Sequence, residues 1–85
     1  MGALSNLPNI SKVSEMKLIQ AGIDTPEQLF ALGSKDALLR VRAEADPGAC
    51  LNMLYGLEGA IRGIRWHERP EEVKADLKEF HHALL

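Results

Sequence analysis

The sequence is poor in cysteine, in aromatic residues and in net charge, and it has no long apolar run. Its single cysteine, Cys50, excludes an internal disulfide. That scarcity fits a reducing, cytoplasmic compartment. Set in an apolar helix, Cys50 reads as a small buried hydrophobe. No apolar stretch approaches the roughly 18–20 residues of a membrane span. The start of the chain carries neither the basic segment nor the apolar segment of a secretory signal. A formal net charge of −2 disfavours strong independent binding to nucleic acid, though it leaves room for a local basic patch. Period-two alternation is missing, so strands are not expected. Neither a Ser-His-Asp ordering, a phosphate loop nor a dinucleotide fingerprint occurs. The reading is non-enzymatic, with no cofactor.

What the chain does have is helix punctuation. Its 85 residues suit one domain, 1–85, with residues 1–6 expected to form a loosely ordered arm. Ser11 caps a first helix, Lys12 to Ala21, with Met16, Leu18 and Ile19 facing inward and Gly22 ending it. Thr25-Pro26-Glu27-Gln28 opens a second, combining a cap, a proline at the first helical position and a reciprocal capping glutamine. Leu29, Phe30 and Leu32 form its apolar face, and Gly33 stops it. Ser34 caps a third, Lys35 to Glu44, with Ala37, Leu38, Val41 and Ala45 at helical spacing. Asp46-Pro47 opens a fourth, Pro47 to Arg62. Pro70 with Glu71 and Glu72 opens a fifth, where Val73, Leu77, Phe80 and Leu84 form the stripe. The fold class is all-α, a compact bundle of about five short helices.

The fourth helix is the unusual one. Cys50, Met53, Leu54, Leu57, Ile61 and Ile64 make one apolar face. Asn52, Gly56, Gly59, Ala60 and Gly63 make a second face of small residues. An interior glycine costs about 0.5–1 kcal/mol relative to alanine. Gly56, Gly59 and Gly63, with Trp66 nearby, therefore mark close packing or an interface. The approach can be made by this chain's own helices or by another molecule.

Three clusters are candidates for chemistry. Leu7-Pro8-Asn9-Ile10-Ser11, ahead of a helix ending Ala21-Gly22-Ile23, resembles a helix-hairpin-helix element. Such hairpins hold a phosphate on backbone N–H groups. Asn9 and Ser11 stand where glycines are typical, so the hairpin is read either as a phosphate contact with Lys12 or as purely structural. Arg62, Arg65 and Arg69, with Trp66 and His67 among them, can grip a phosphate and stack on a base. They can equally pair with Glu58, Glu68 and Glu72. Glu58 is expected to pair with Arg62 at i, i+4. His67, His81 and His82 contain no i, i+4 pair, so no metal site is expected.

Together, Leu7-Pro8-Asn9-Ile10, Ala21-Gly22-Ile23 with Thr25, Leu32-Gly33, the run Asn52 to Ile61, Gly63 and Trp66 resemble the carboxy-terminal domain of the TfoX (Sxy) family of bacterial competence regulators. The resemblance runs from about Leu7 to Phe80. It implies a helix-hairpin-helix or SAM-like fold, and a role in activating transcription beside a cyclic-AMP receptor protein. It carries over no catalytic residues. Full-length members carry a further amino-terminal domain, which this chain does not contain. The expected function is a non-enzymatic interaction domain that contacts a protein partner in a DNA-associated complex. The alternatives are direct, sequence-nonspecific DNA binding through Asn9, Ser11, Lys12, Arg62, Arg65 and Arg69, and self-association as a homo-oligomer. No membrane partner is expected.

Overall fold

A computed structural model describes residues 3–64 and 71–84. A 3-10 turn, Leu4–Asn6, is followed by five α-helices: α1 (Lys12–Gln20), α2 (Pro26–Leu32), α3 (Ser34–Glu44), α4 (Leu51–Arg62) and α5 (Glu71–Ala83). Among the described residues there is no strand. The all-α reading holds, with five helices.

The local signals act as their chemistry requires. Ser11 accepts the Ser14 N–H on its hydroxyl and starts α1. Thr25 and Gln28 form the full capping box of α2 behind Pro26. The end of α1 closes through Gly22 at φ +86°: the Ile23 N–H donates to Leu18 O and the Gly22 N–H to Ile19 O. That paired closure is a Schellman motif, and its left-handed residue favours glycine. Gly33 joins two helices, its N–H donating to Leu29 O and its carbonyl accepting from the Ala37 N–H.

Every helix contributes to one core. Leu18, Leu29, Leu38, Val41, Leu54, Leu57 and Leu77 are buried there together. α4 has the central place, burying Leu54, Tyr55, Leu57, Gly59 and Ala60.

Several expectations need correction. Residues 1–6 do not form a loose arm from Ala3 onward. Leu4 is fully buried in the core, and the Ser5 N–H donates to the buried Glu15 carboxylate at 3.2 Å. Glu15 and Leu18 are the residues that α1 buries, Leu18 within the apolar core. Met16, about 100° away on the wheel, is left 64% exposed and Ile19 only half-buried. On α2, Leu29 takes the core place and Phe30 is 45% exposed. Ser34 is not the cap of α3 but its first residue, with Gly33 in the cap position.

The start of α4 moves furthest. Asp46 accepts the Gly48 N–H on its side chain at 2.9 Å, and the Ala49 N–H donates to Asp46 O. The Asp-Pro signal is spent on a turn, in which the Asp46 side chain bonds the backbone two residues on. The helix begins at Leu51, and Cys50 becomes its cap residue, exposed rather than buried. Pro70, read as opening the fifth helix, lies outside the described residues. α5 otherwise follows the pattern, with Leu77 buried and Val73, Phe80 and Leu84 packed against the core.

Candidate functional site

The hairpin and the small face of α4 meet each other. Asn9 takes a left-handed backbone, φ 67°, which asparagine tolerates better than most residues. Its carboxamide points inward and donates to Ile64 O at 2.9 Å. A methyl group on Gly59 would overlap the Asn9 Nδ2 atom and stand 2.9 Å from Ile64 O. On Gly56 it would reach Asn9 O at 3.4 Å. The close approach that these two glycines permit is therefore made by the chain's own hairpin.

Gly63 has a different reason. Among the described residues nothing lies within 4 Å of a methyl group built on it, but its φ is +72°. It ends α4, with the Ile64 N–H donating to Gly59 O at 2.9 Å. Ile64 thus bonds Gly59 through its N–H and Asn9 through its carbonyl.

Three polar groups of the hairpin, the Asn9 carboxamide, the Ile10 N–H and the Ser11 hydroxyl, are engaged internally. The Ile10 N–H donates to Leu7 O, and the Ser11 hydroxyl serves α1. Ser11 itself has an ordinary φ of −81°. Lys12 is exposed beside it.

Arg62 belongs elsewhere. Its Nε donates to Glu58, whose other oxygen accepts the Ser34 hydroxyl at 2.6 Å. Burial pushes the Glu58 carboxyl up, but the hydrogen bonds from Ser34 and Arg62 and the charges of Arg62 and Lys35 outweigh it. The net shift is below the ordinary carboxylate value. This group lines a cleft of about 530 Å³ between α3, α4 and α5, where Lys35 also pairs with Asp76 at 2.8 Å. The hairpin does not line it. Of the expected phosphate set, Asn9, Ser11 and Lys12 share one turn, and Arg62 lies apart from them. Arg65, Arg69 and Trp66 fall outside the described residues, as do His67 and Glu68.

Two features had no local signal in the sequence. Lys17 on α1 pairs with Asp46 at 2.7 Å, across 29 positions of chain. The hydrogen bond from Lys17, then that from Gly48, hold the Asp46 carboxyl below its ordinary value. The Ser34 hydroxyl reaches Glu58 across 24 positions. A serine beside a glycine at a helix start reads as a cap, and only the packed fold shows its second use.

The chain matches the model of the TfoX C-terminal domain over residues 1–81. It is similar to an uncharacterized protein from Listeria monocytogenes, solved in a triclinic form. The two are 53% identical with a TM-score of 0.92, over 95% of this chain and 91% of that one. It is also similar to a protein of unknown function from Listeria monocytogenes, solved in a tetragonal form. There the identity is 52% and the TM-score 0.93, over 96% of this chain and 99% of that one. No curated protein matches the sequence.

Proposed function

The chain belongs to the TfoX C-terminal domain family, and from that premise we propose that it is a non-catalytic interaction domain of competence and transcription regulation. It contacts a protein partner within a DNA-associated complex. A regulator of the cyclic-AMP receptor protein type is the partner this reading names.

One observation carries the reading: three cations, Lys17, Lys35 and Arg62, are paired within the chain while apolar side chains stand in solvent. Lys17, Lys35 and Arg62 each bond a carboxylate of the same chain, and Arg42 donates to Ala49 O at 3.0 Å. A surface that binds DNA leaves such groups free for phosphates. Meanwhile Val13 and Met16, three residues apart on α1, are 62% and 64% exposed. Large apolar side chains paired on an exposed helix face suit a protein contact.

A pull-down from bacterial lysate, with and without nuclease, tests the reading. A protein retained after nuclease and lost in Met16→Asp supports it. Direct DNA contact is favoured by one feature, the hairpin turn with exposed Lys12 beside it. Salt-sensitive duplex binding lost in Lys12→Glu, with no protein retained, would put that reading in its place.

A further inference from the structure

The end of α1 and the outer side of α3 run antiparallel. Lys17 meets Asp46, Gln20 donates to Glu44 O at 3.3 Å, and Gly22 lies beside Arg40. Between them is an open groove of about 450 Å³, walled by Gln20, Ala21 and Gly22 on one side and Leu39, Arg40 and Ala43 on the other. Leu39 is 40% exposed at its edge. Arg40 has no carboxylate within ion-pair distance among the described residues, unlike Lys17, Lys35 and Arg62.

The groove continues along α1. Val13, Met16 and Gln20 recur at intervals of three and four, so they form one stripe leading into it. Lys12 stands four residues before Met16, exposed and likewise without an ion pair among the described residues. An apolar strip thus runs between two unpaired cations. Glu44 at the Gln20 end is the one carboxylate of the lining.

We propose that this groove receives an amphipathic helix of a protein partner, apolar along one stripe and acidic where it passes Arg40 and Lys12. The proposal rests on the interaction reading above and gives it a surface and a partner chemistry. Charge complementarity selects the acidic helix, because Arg40 and Lys12 are the cations this surface leaves unneutralised. Glu44 sets its direction, since a partner carboxylate at that end would be repelled. A nucleic acid fits less well. Phosphates gain nothing from Val13, Met16 and Leu39, and Glu44 repels them.

The test is a titration of the isotope-labelled full chain with a synthetic peptide of about five helical turns, leucines on one stripe and glutamates flanking them. A second peptide carries lysines in place of the glutamates. Amide shifts should centre on Val13, Met16, Gly22, Leu39 and Arg40. Leu39→Asp should weaken binding about tenfold or more, and Arg40→Glu should turn the preference toward the lysine peptide. Both sites are exposed, and circular dichroism checks that the variants are folded. No binding of the glutamate peptide, equal binding of both, or shifts centred on the hairpin would overturn the proposal. So would duplex DNA moving the same amides. If nuclease-resistant capture from lysate persists in the Leu39→Asp/Arg40→Glu double variant, the interaction reading stands and the groove does not. If the unaltered chain captures nothing, that reading falls, and the titration still judges the groove.

Discussion

On one flank of α4, Gly59 faces the Asn9 carboxamide with no room for a methyl group. On another, Glu58 sits between the Ser34 hydroxyl and the Arg62 guanidinium. Both contacts fasten the same helix to distant parts of the chain, by different physics. The first is a matter of shape, and neither salt nor pH alters it. The second is a matter of charge at a partly solvated site, where screening reduces its worth.

The hardest way to break that comparison is Gly59→Leu. The new side chain meets Asn9 and the Ile64 carbonyl, and the expected outcome is loss of the fold by circular dichroism. Gly56→Ala is the contrast within the same seam. Its methyl group reaches Asn9 O at an ordinary 3.4 Å, and helix propensity gains what the contact loses. Its stability should stay within about 0.5 kcal/mol of the parent. Equal damage from the two substitutions would mean that the seam is not centred on Asn9.

Asn9→Ala should cost about 2–3 kcal/mol in urea denaturation. It removes the bond to Ile64 O and forces alanine into a left-handed backbone. Asn9→Gly keeps the backbone and loses only the bond, so about 1 kcal/mol is expected. The difference between the two isolates the conformational part.

The charged flank responds to pH where the seam does not. The Glu58 carboxyl is held below its unfolded value of 4.5. The ionised form is therefore the one the fold favours. Its contribution is fully present above the unfolded value and is lost as pH falls through the folded one. Ser34→Ala should cost roughly 0.5–1.5 kcal/mol at neutral pH, and the penalty should shrink in acid. The Asn9→Ala penalty should be the same at both pH values. A Ser34→Ala penalty indifferent to pH would remove the distinction between the flanks.

At the start of α4 the expected effect has the opposite sign. Cys50 occupies the cap position with no side-chain bond to the helix. Cys50→Ser supplies an oxygen there and should stabilise by roughly 0.5–1 kcal/mol. In the folded parent the exposed thiol should react with a thiol reagent without prior unfolding. Protection of Cys50 would restore its reading as a core residue.

The two flanks also differ in how far the sequence disclosed them. Glu58 and Arg62 lie four residues apart on one helix, so their pairing follows from helical geometry alone. The two interior glycines and their closeness to something were legible too, because a helix tolerates them at a cost. What they approach was not, since Asn9 stands 50 positions before Gly59 and no local pattern links the two. Helix starts were readable where cap and proline have one use, as at Thr25-Pro26. They misled at Asp46-Pro47, where Asp46 accepts from the Gly48 and Ala49 N–H groups and closes a turn instead. Met16 was misplaced for a similar reason. The face that α1 buries is set by contacts from outside the helix, with Leu18 in the shared core and Ser5 on Glu15.

The bond from Asn9 to Ile64 also orders events in time. It spans 55 positions, and α1, α2, α3 and α4 lie inside the loop that it closes. A ribosome adds about 5–20 residues each second. The hairpin is therefore made roughly 3–11 seconds before the carbonyl it will hold. Through that interval a nascent chain carries Asn9 with nothing to clasp, and the arrival of Ile64 closes the loop around the first four helices.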